Sequence, residues 1–439
     1  MDAAPSTLRQ ATVERLDPTT GRLPALDGLR GIAVLLVVVS HVSSYQAEEA
    51  GPTGVSIFFV LSGFLITSLL LAERDRRGGV DLRAFYTRRA LRLFPALFLL
   101  VAATPVVLWL ADDPRLSQVT DGLLTALFYV QDFASGTGHP GVLGHAWSLS
   151  VEEQFYLIWP LALAAIALAT RANPRRFASA VSLLAGLALI WHLVDVLGAS
   201  LDWTSFGPDA NAVFLLVGCA LAAHRRAGRR LTLPGWAASA ALALVLVGPL
   251  VLTHVEAGHW RIQALLIFPV CLAGLPLVMG AARLPVLALP VLRWFGTISY
   301  GLYLWNWLLI SLQPSGQGLG SVQRLAAAIA SVGAAAASWY LMEKPVLRLK
   351  HRFERVSLGT VIAAQEAVPE ASDAGAAGSA AAGAAGDAGS AAAGAAGAAG
   401  AAGVAGSAAA GAQGEPVGYS EQQPGAIAGA VFLGSPPPS

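Results

Sequence analysis

Charged side chains are scarce in this chain. Asp, Glu, Lys and Arg make up 13% of the 439 residues, about half the share typical of soluble proteins, whereas hydrophobic residues make up 55%. This composition excludes an ordinary soluble globular protein. The formal net charge is only +1 and no segment stands out as a basic domain, so we expect no nucleic-acid partner.

Cysteine is nearly absent as well. Cys219 and Cys271 both lie in apolar stretches, and two residues cannot form a disulfide framework or a zinc site built from cysteines. The chain also lacks a P-loop, a dinucleotide-binding fingerprint and a metal-ligand motif. The sequence therefore predicts no metal site and no tightly bound cofactor.

Long apolar stretches recur between residues 26 and 346, each of them continuous rather than alternating. Stretches of about 17–25 such residues are typical of helices that cross a bilayer, whereas membrane strands alternate. The sequence therefore predicts an all-α, polytopic membrane protein with about ten transmembrane helices. The predicted spans are 26–45, 53–73, 90–111, 148–170, 177–198, 210–224, 232–253, 258–280, 290–312 and 320–347.

Basic residues support this count, because they cluster in segments that ten spans would place on one side. Those segments are the N-terminal arm, 74–92, 171–176, 224–230, the loop between Arg283 and Arg293, and the residues after the last span. The positive-inside rule makes that side cytoplasmic. We therefore expect a multi-pass protein of the cytoplasmic membrane with both termini in the cytoplasm.

Three regions differ in composition. Residues 1–22 form a polar cytoplasmic arm, and residues 23–350 form the membrane domain. Residues 351–439 are a low-complexity tail rich in Ala, Gly and Ser, with little bulk to bury. We expect this tail to be disordered, because frequent glycines disfavour the helix that alanine alone would form.

Two ionisable residues, Arg30 and His41, lie in the first span. They are eleven positions apart, which returns them to one helix face about 16 Å apart along the axis. Ionisable groups in an apolar span mark functional sites by default. The arginine suits a phosphate or a carboxylate, and the imidazole can accept a proton from a hydroxyl. The alternative is a basic flank and an interfacial histidine.

A second cluster consists of Arg88, Arg89 and Arg92 at the start of the third span. Spacings of three and four residues let these side chains share a helix face. Guanidinium groups at the mouth of a helix bundle can bind a polyphosphate. The alternative is a topology signal with lipid headgroup contacts.

A third cluster begins the fourth span. Glu152 and Glu153 lie near the start of an apolar helix, where the helix dipole by itself favours a carboxylate. Ser148, Glu152, Tyr156 and Trp159 fall on one stripe of this helix. Carboxylate, hydroxyl and aromatic groups in such a stripe could bind a polyol, and we expect them at the depth of His41.

Several motifs in order resemble those of the membrane acyltransferase-3 family, the bacterial O-acyltransferases of cell-surface glycans and some natural products. The resemblance covers roughly residues 22–350. The motifs are LPALDGLRGIAVLLVVVSHV, GVSIFFVLSGFLIT, FYTRRALRLFPAL, HAWSLSVEEQFYLIWP, GTISYGLYLWNWLL and SWYLMEKPV. Two positions depart from the family pattern: Asn306 stands where histidine is common, and Asn211 stands where many members have arginine.

The resemblance implies transfer of an acyl group, most often acetyl, from cytoplasmic acyl-CoA to a hydroxyl of an envelope glycan or a glycosylated metabolite. Acyl-CoA would be a co-substrate, with the bilayer and a carbohydrate acceptor as partners; the sequence does not indicate an oligomeric state. The expected roles are as follows. Acyl-CoA would be bound by Arg30, Arg88, Arg89 and Arg92. His41 would be the general base, and Glu152 or Glu153 would orient His41 or the sugar. The acceptor would contact Ser148, Tyr156 and Trp159.

Other functions remain open at this stage. His41 could itself be acylated before it passes the group on. Buried charges in a bundle of helices also suit a transporter or flippase of a lipid-linked or polyanionic substrate, although no inverted repeat is visible. A non-catalytic scaffold has no use for intramembrane charges, which argues against it.

Overall fold

The computed structural model describes residues 23–43, 47–229, 233–254, 260–312 and 320–350. Within these ranges the regular elements are helices, and no strand is present. The predicted N-terminal arm and Ala/Gly/Ser-rich tail lie outside the described residues.

The helices follow the predicted apolar stretches, with additional short helices between the long ones. In chain order they are α1 (Pro24–Val42), α2 (Ala50–Arg77), α3 (Leu82–Leu110), α4 (Val119–Leu127), α5 (Gln131–Gly136), α6 (Trp147–Ala169), α7 (Pro174–Gly198), α8 (Leu201–Phe206), α9 (Pro208–Arg226), α10 (Ala237–Thr253), α11 (Trp260–Leu272), α12 (Gly274–Gly280), α13 (Pro290–Ser311), α14 (Gly320–Ser338) and α15 (Lys344–Lys350). A π-helical turn, Trp339–Glu343, joins the last two.

Local sequence fixes where several helices begin and end. Asp81 caps α3 by accepting a hydrogen bond from the backbone N–H of Ala84 at 2.9 Å. Asn173 caps α7 in the same way, and Pro174 occupies its first position. Gly78 ends α2 with φ of 75°, a left-handed conformation that suits glycine.

Eight segments of the described chain are long and apolar enough to cross a membrane. They are Pro24–Val42, Ala50–Arg77, Leu82–Leu110, Gly144–Ala169, Pro174–Gly198, Leu201–Arg226, Trp260–Arg283 and Val322–Arg348. The predicted spans 232–253 and 290–312 correspond to α10, which has 17 residues, and to α13, which has 22. The all-helical, multi-pass fold is confirmed, with eight of the ten predicted spans meeting the length and hydropathy requirement.

The outer surface of the bundle is apolar. Trp109, Leu168 and Leu197 are each about two-thirds or more exposed, at 68%, 77% and 68%. Such side chains on the outside of long helices fit a lipid environment, where helix association depends on packing rather than on escape from water.

Glycines allow the central helices to approach closely. A Cβ atom added at Gly63 of α2 would lie 1.9 Å from the carbonyl oxygen of Leu215 in α9. A Cβ atom at Gly296 of α13 would lie 1.8 Å from the carbonyl oxygen of Asp27 in α1. Helices α1, α2, α9 and α13 therefore pack backbone against backbone, and this contact fixes the register of the site residues they carry.

Candidate active site

His41 is buried near the end of α1 and is oriented by a chain of hydrogen bonds. Its Nδ1 lies 2.7 Å from Oδ1 of Asn306 on α13. The Asn306 amide donates to Oγ of Ser331 at 3.1 Å, and that hydroxyl donates to the Ala328 carbonyl at 2.7 Å. Because this network assigns Oδ1 of Asn306 as an acceptor, Nδ1 of His41 is the protonated nitrogen. The lone pair of the neutral imidazole is then on Nε2, as a general base requires.

His41 faces a small pocket that a second histidine also lines. The pocket has a volume of about 10 Å³, and its walls include His41, His145 and Tyr303. The ring of Trp307 contacts both imidazoles, with centroids 5.0 Å from His41 and 6.0 Å from His145. Neither ring nitrogen of the buried His145 has a hydrogen-bond partner among the described residues. The pocket holds about one water-sized group, which could be a hydroxyl.

A much larger cavity of about 780 Å³ shares two lining residues with this pocket. Its lining includes residues of α2 from Val55 to Leu69, a distance of about 21 Å along the helix axis. Its ionisable wall comprises five cations and three acids: Arg30, Arg89, Arg92, Lys344 and Arg348, with Asp27, Glu152 and Glu343. Cations therefore outnumber acids on its surface.

Tyr303 and Val55 line both the small pocket and the large cavity. The hydroxyl of Tyr303 donates to the carbonyl oxygen of His145. Oγ of Ser148 lies 2.6 Å from the same phenol oxygen, and because the phenol proton is already engaged, Ser148 is the donor. Tyr303, held by these hydrogen bonds, is thus part of the lining of both the pocket of His41 and the large cavity.

Arg89 joins α3 to α6 through both predicted glutamates. Its guanidinium lies 2.7 Å from Oε1 of Glu153 and 3.5 Å from Oε1 of Glu152. Its Cζ lies 3.2 Å above the ring of Tyr156, which is close enough for a cation–π contact. The side chains of Arg89 and Glu153 are only 15% and 18% exposed, so the guanidinium mainly serves as the counter-ion of the two carboxylates.

Glu152 is held by several further donors. Its Oε1 accepts from the hydroxyl of Tyr156 at 2.5 Å and from Oγ of Ser62. Glu152 and Tyr156 line the large cavity, together with Ser148. The structure therefore places the predicted glutamate stripe with the arginines and does not place it beside His41, whose orienting contact comes from Asn306. The register of α3 against α6, which single-helix spacing does not contain, causes this difference.

Two predicted residues lie away from the large cavity. Arg88 approaches Oε2 of Glu73 at 3.3 Å and is not among the residues that line the cavity. Trp159 is 3% exposed and donates from its indole nitrogen to Oγ1 of Thr67 at 2.8 Å. Of the predicted arginines, Arg30, Arg89 and Arg92 do line the cavity, and Arg30 approaches Asp27 at 3.3 Å.

Several site residues do not follow from the sequence pattern. Asn306 is visible there only as a departure from the family pattern, and His145 resembles an ordinary histidine of a connecting segment. Lys344 lies near the end of the last predicted span and Arg348 directly follows it, so both are easily interpreted as a basic flank. The motif SWYLMEKPV contains Glu343 and Lys344, and its position after an apolar helix is the signal that points to them.

Comparison with known families decides the classification. The family model described as an acyltransferase domain matches residues 23–343. The chain belongs to this acyltransferase family. The membership confirms the resemblance that the ordered motifs predict.

Two relatives of this acyltransferase align over most of its membrane domain. YrhL of Bacillus subtilis is 33% identical over 362 residues, which is 74% of this chain and 55% of the relative. OatA of Listeria monocytogenes, named a peptidoglycan O-acetyltransferase, is 30% identical over 316 residues, 66% of this chain and 50% of the relative. The chain thus spans about half the length of these curated relatives. No solved structure matches the chain significantly.

Proposed function

We propose that this protein is a membrane O-acyltransferase that moves an acetyl group from acetyl-CoA to a hydroxyl of a cell-envelope glycan. One observation carries the proposal: in a chain of an acyltransferase family, the pocket that His41 lines shares Tyr303 and Val55 with a large, cation-lined cavity, and Asn306 orients His41. The name of the relative from Listeria monocytogenes favours peptidoglycan as the acceptor.

The large cavity is the proposed donor site. Arg30 and Arg92 line it, and guanidinium groups suit the phosphates of coenzyme A. The thioester end would lie against Tyr303, so that the nucleotide end lies toward the basic ends of α2, α3 and α9. Coenzyme A is a cytoplasmic metabolite, and from the positive-inside rule we also expect these ends in the cytoplasm.

The small pocket is the proposed site of the acceptor hydroxyl. Nε2 of His41 takes the hydroxyl proton, and the oxygen attacks the thioester carbonyl carbon as a C–O bond forms. The C–S bond then breaks with its electron pair on sulfur, and the imidazolium returns the proton to the thiolate. Tyr303 lines both sites, so the two reactants would meet beside its ring, and a turn of this side chain would widen the path between them.

The glutamates have a positioning role in this scheme. Glu152 and Glu153 hold Arg89, and Glu152 holds the hydroxyl of Tyr156 on the cavity wall. Ser148 and Tyr156, which the sequence predicts as acceptor contacts, line the cavity that this scheme assigns to the donor, so the scheme gives them no acceptor contact. Trp159 has a structural contact to Thr67 and is assigned no acceptor contact.

The test is transfer by purified protein in lipid nanodiscs, with acetyl-CoA as donor and peptidoglycan fragments as acceptor. We expect acceptor-dependent release of coenzyme A and an acetylated product seen by mass spectrometry. His41→Ala should lower the transfer rate by about 10²–10⁴-fold, the usual effect of losing a general base. Trp236→Phe, an exposed aromatic position at the start of α10, is the matched control.

Three outcomes contradict parts of the proposal. Transfer by His41→Ala at the wild-type rate excludes His41 as the base. An acetylated enzyme trapped with donor alone replaces direct attack with an acyl-enzyme route. Movement of substrate across the bilayer without release of coenzyme A indicates a transporter.

A further inference from the structure

The large cavity has two cations that the predicted donor site does not contain. Lys344 and Arg348 lie four residues apart on α15, so their side chains share one helix face, and both line the cavity. Both side chains are exposed. They therefore present two positive charges side by side to the cavity.

The π-helical turn before α15 sets this direction. The turn adds one residue relative to an α-helical turn, which rotates everything after it by about 100°. Glu343, the last residue of the turn, is 3% exposed and accepts a hydrogen bond from Oγ of Ser338 at 2.8 Å. This contact anchors the turn and directs the face that carries Lys344 and Arg348 toward the cavity.

Arg92 on α3 lines the same cavity and is also exposed to it. Within the described part of the chain, no ion pair joins Arg92, Lys344 or Arg348 to a carboxylate, in contrast to Arg89 with its two glutamates. Three cations without carboxylate partners on one cavity repel each other. Such an arrangement is stabilised by a multiply charged anion.

We propose that Lys344, Arg348 and Arg92 form a phosphate-binding subsite that holds the nucleotide end of the coenzyme A donor. The inference rests on the proposed function, since it places this end opposite the thioester. Tyr303 and Val55 mark the part of the cavity that adjoins the pocket of His41, where the thioester would lie. Lys344 and Arg348 line the cavity from α15, which packs against α3, the helix that carries Arg92. The three cations therefore belong to neighbouring helices, and the cavity extends about 21 Å along α2, which leaves room for a long donor.

Binding of free coenzyme A tests the subsite without catalysis. Wild-type protein in nanodiscs of neutral lipid is titrated with coenzyme A, 3′-dephospho-coenzyme A and pantetheine, which lacks the phosphates. We expect coenzyme A to bind more tightly than pantetheine. Arg348→Gln and Lys344→Gln should each weaken coenzyme A binding about tenfold, the effect of losing one charge-assisted hydrogen bond, and leave pantetheine binding unchanged.

Arg175→Gln is the matched control, because Arg175 is an exposed arginine at the start of α7 and is not part of the cavity lining. Thermal unfolding of each variant checks that it is folded. Wild-type affinity of both α15 variants for coenzyme A overturns the subsite. A defect that appears only in nanodiscs with anionic lipid also overturns it, because the cations then serve lipid headgroups.

The two proposals fail in different ways. If wild-type protein binds neither coenzyme A nor acetyl-CoA, the proposed function fails. If wild-type protein binds coenzyme A and transfers acetyl groups while Arg348→Gln and Lys344→Gln bind it equally well, the function stands and the subsite alone is excluded.

Discussion

Arg89 has a different role from the neighbouring Arg92, although the two lie on the same turn of α3. Arg89 neutralises Glu152 and Glu153, whereas Arg92 is exposed to the cavity. Arg89→Ala would leave two carboxylates in a largely buried site without their counter-ion. We expect a loss of stability on the order of 3–5 kcal/mol, measured by thermal unfolding in detergent.

Two further variants make the Arg89 prediction specific. Arg89→Lys keeps the charge but loses the paired N–H geometry, so its loss of stability should be smaller than that of Arg89→Ala. Arg175→Ala should have little effect, since Arg175 is exposed. If Arg89→Ala unfolds like wild type and only raises the KM for acetyl-CoA, Arg89 binds donor phosphate instead of holding the glutamates.

The short connection between α1 and α2 contains a carboxyl group that titrates near neutral pH. Burial, and to a lesser extent the neighbouring Glu49, raises the pKa of Glu48 from 4.5 to about 7. Between these values the folded protein keeps a proton that the unfolded chain has lost, so stability falls as the pH rises from 4.5 to 7.

Glu48→Gln removes this dependence. Its stability should equal that of wild type below pH 4.5 and exceed it increasingly up to pH 7, beyond which the difference stays constant. Unfolding temperatures measured between pH 4.5 and 8 check this, with the exposed Asp121→Asn as control. A constant difference across the whole range contradicts the assignment.

At the scale of helices, the contact between α2 and α9 depends on the absence of side chains. Gly63→Ala would bring a methyl group to 1.9 Å from the carbonyl oxygen of Leu215, and the two backbones would have to separate. We expect destabilisation of at least about 1–3 kcal/mol, as for other overpacked sites, seen as a lower unfolding temperature. Gly186→Ala is the control, because a Cβ atom there meets nothing within 4 Å.

The positions of the helices follow from the sequence, but their mutual register does not. The apolar stretch from Leu26 to Val42 and the caps at Asp81 and Asn173 are local signals, and each corresponds to a helix in the structure. The spacing of Arg30 and His41 predicts that they share one helix face, and in the structure Arg30 lines the large cavity and His41 lines the small pocket. It cannot show that they line different cavities, because Tyr303, which lines both, is 262 residues beyond His41 in the sequence.

The partners of the site residues are also long-range. Asn306 reaches His41 from α13, and Glu153 reaches Arg89 across 64 positions. Helical periodicity gives the face of each residue on its own helix but says nothing about which helix lies opposite. The predicted contact between the glutamates and His41 therefore had no local signal to support it or exclude it.

For the whole molecule, the proposed orientation makes the connections at the two ends of α3 accessible from opposite sides of the membrane. Arg226, near the end of α9, donates a hydrogen bond to Asp75 near the end of α2, which places the end of α9 close to the start of α3. Arg229 follows the end of α9 and therefore marks this side. Ser117 follows the end of α3 and marks the opposite side. In a background without Cys219 and Cys271, we expect an impermeant maleimide to label Ser117→Cys from outside the cell. Arg229→Cys should react only after the membrane is opened.

Equal labelling of both positions in intact cells contradicts this orientation. Labelling of Arg229→Cys alone in intact cells reverses it. The two positions are exposed in the structure, so a lack of reaction reports the membrane and not burial.

The position of Tyr303 has a consequence for how much acyl donor is lost to hydrolysis. Water competes with any acceptor for an activated ester, and a base that could reach both would waste acetyl groups by hydrolysis. In the proposed arrangement, the ring of Tyr303 lies between a water molecule next to His41 and the thioester, so we expect slow hydrolysis of the donor when no acceptor is present. Tyr303→Ala should raise the release of coenzyme A in the absence of acceptor, whereas Tyr303→Phe, which keeps the ring, should not. Equal release by both variants would show that the ring does not protect the donor.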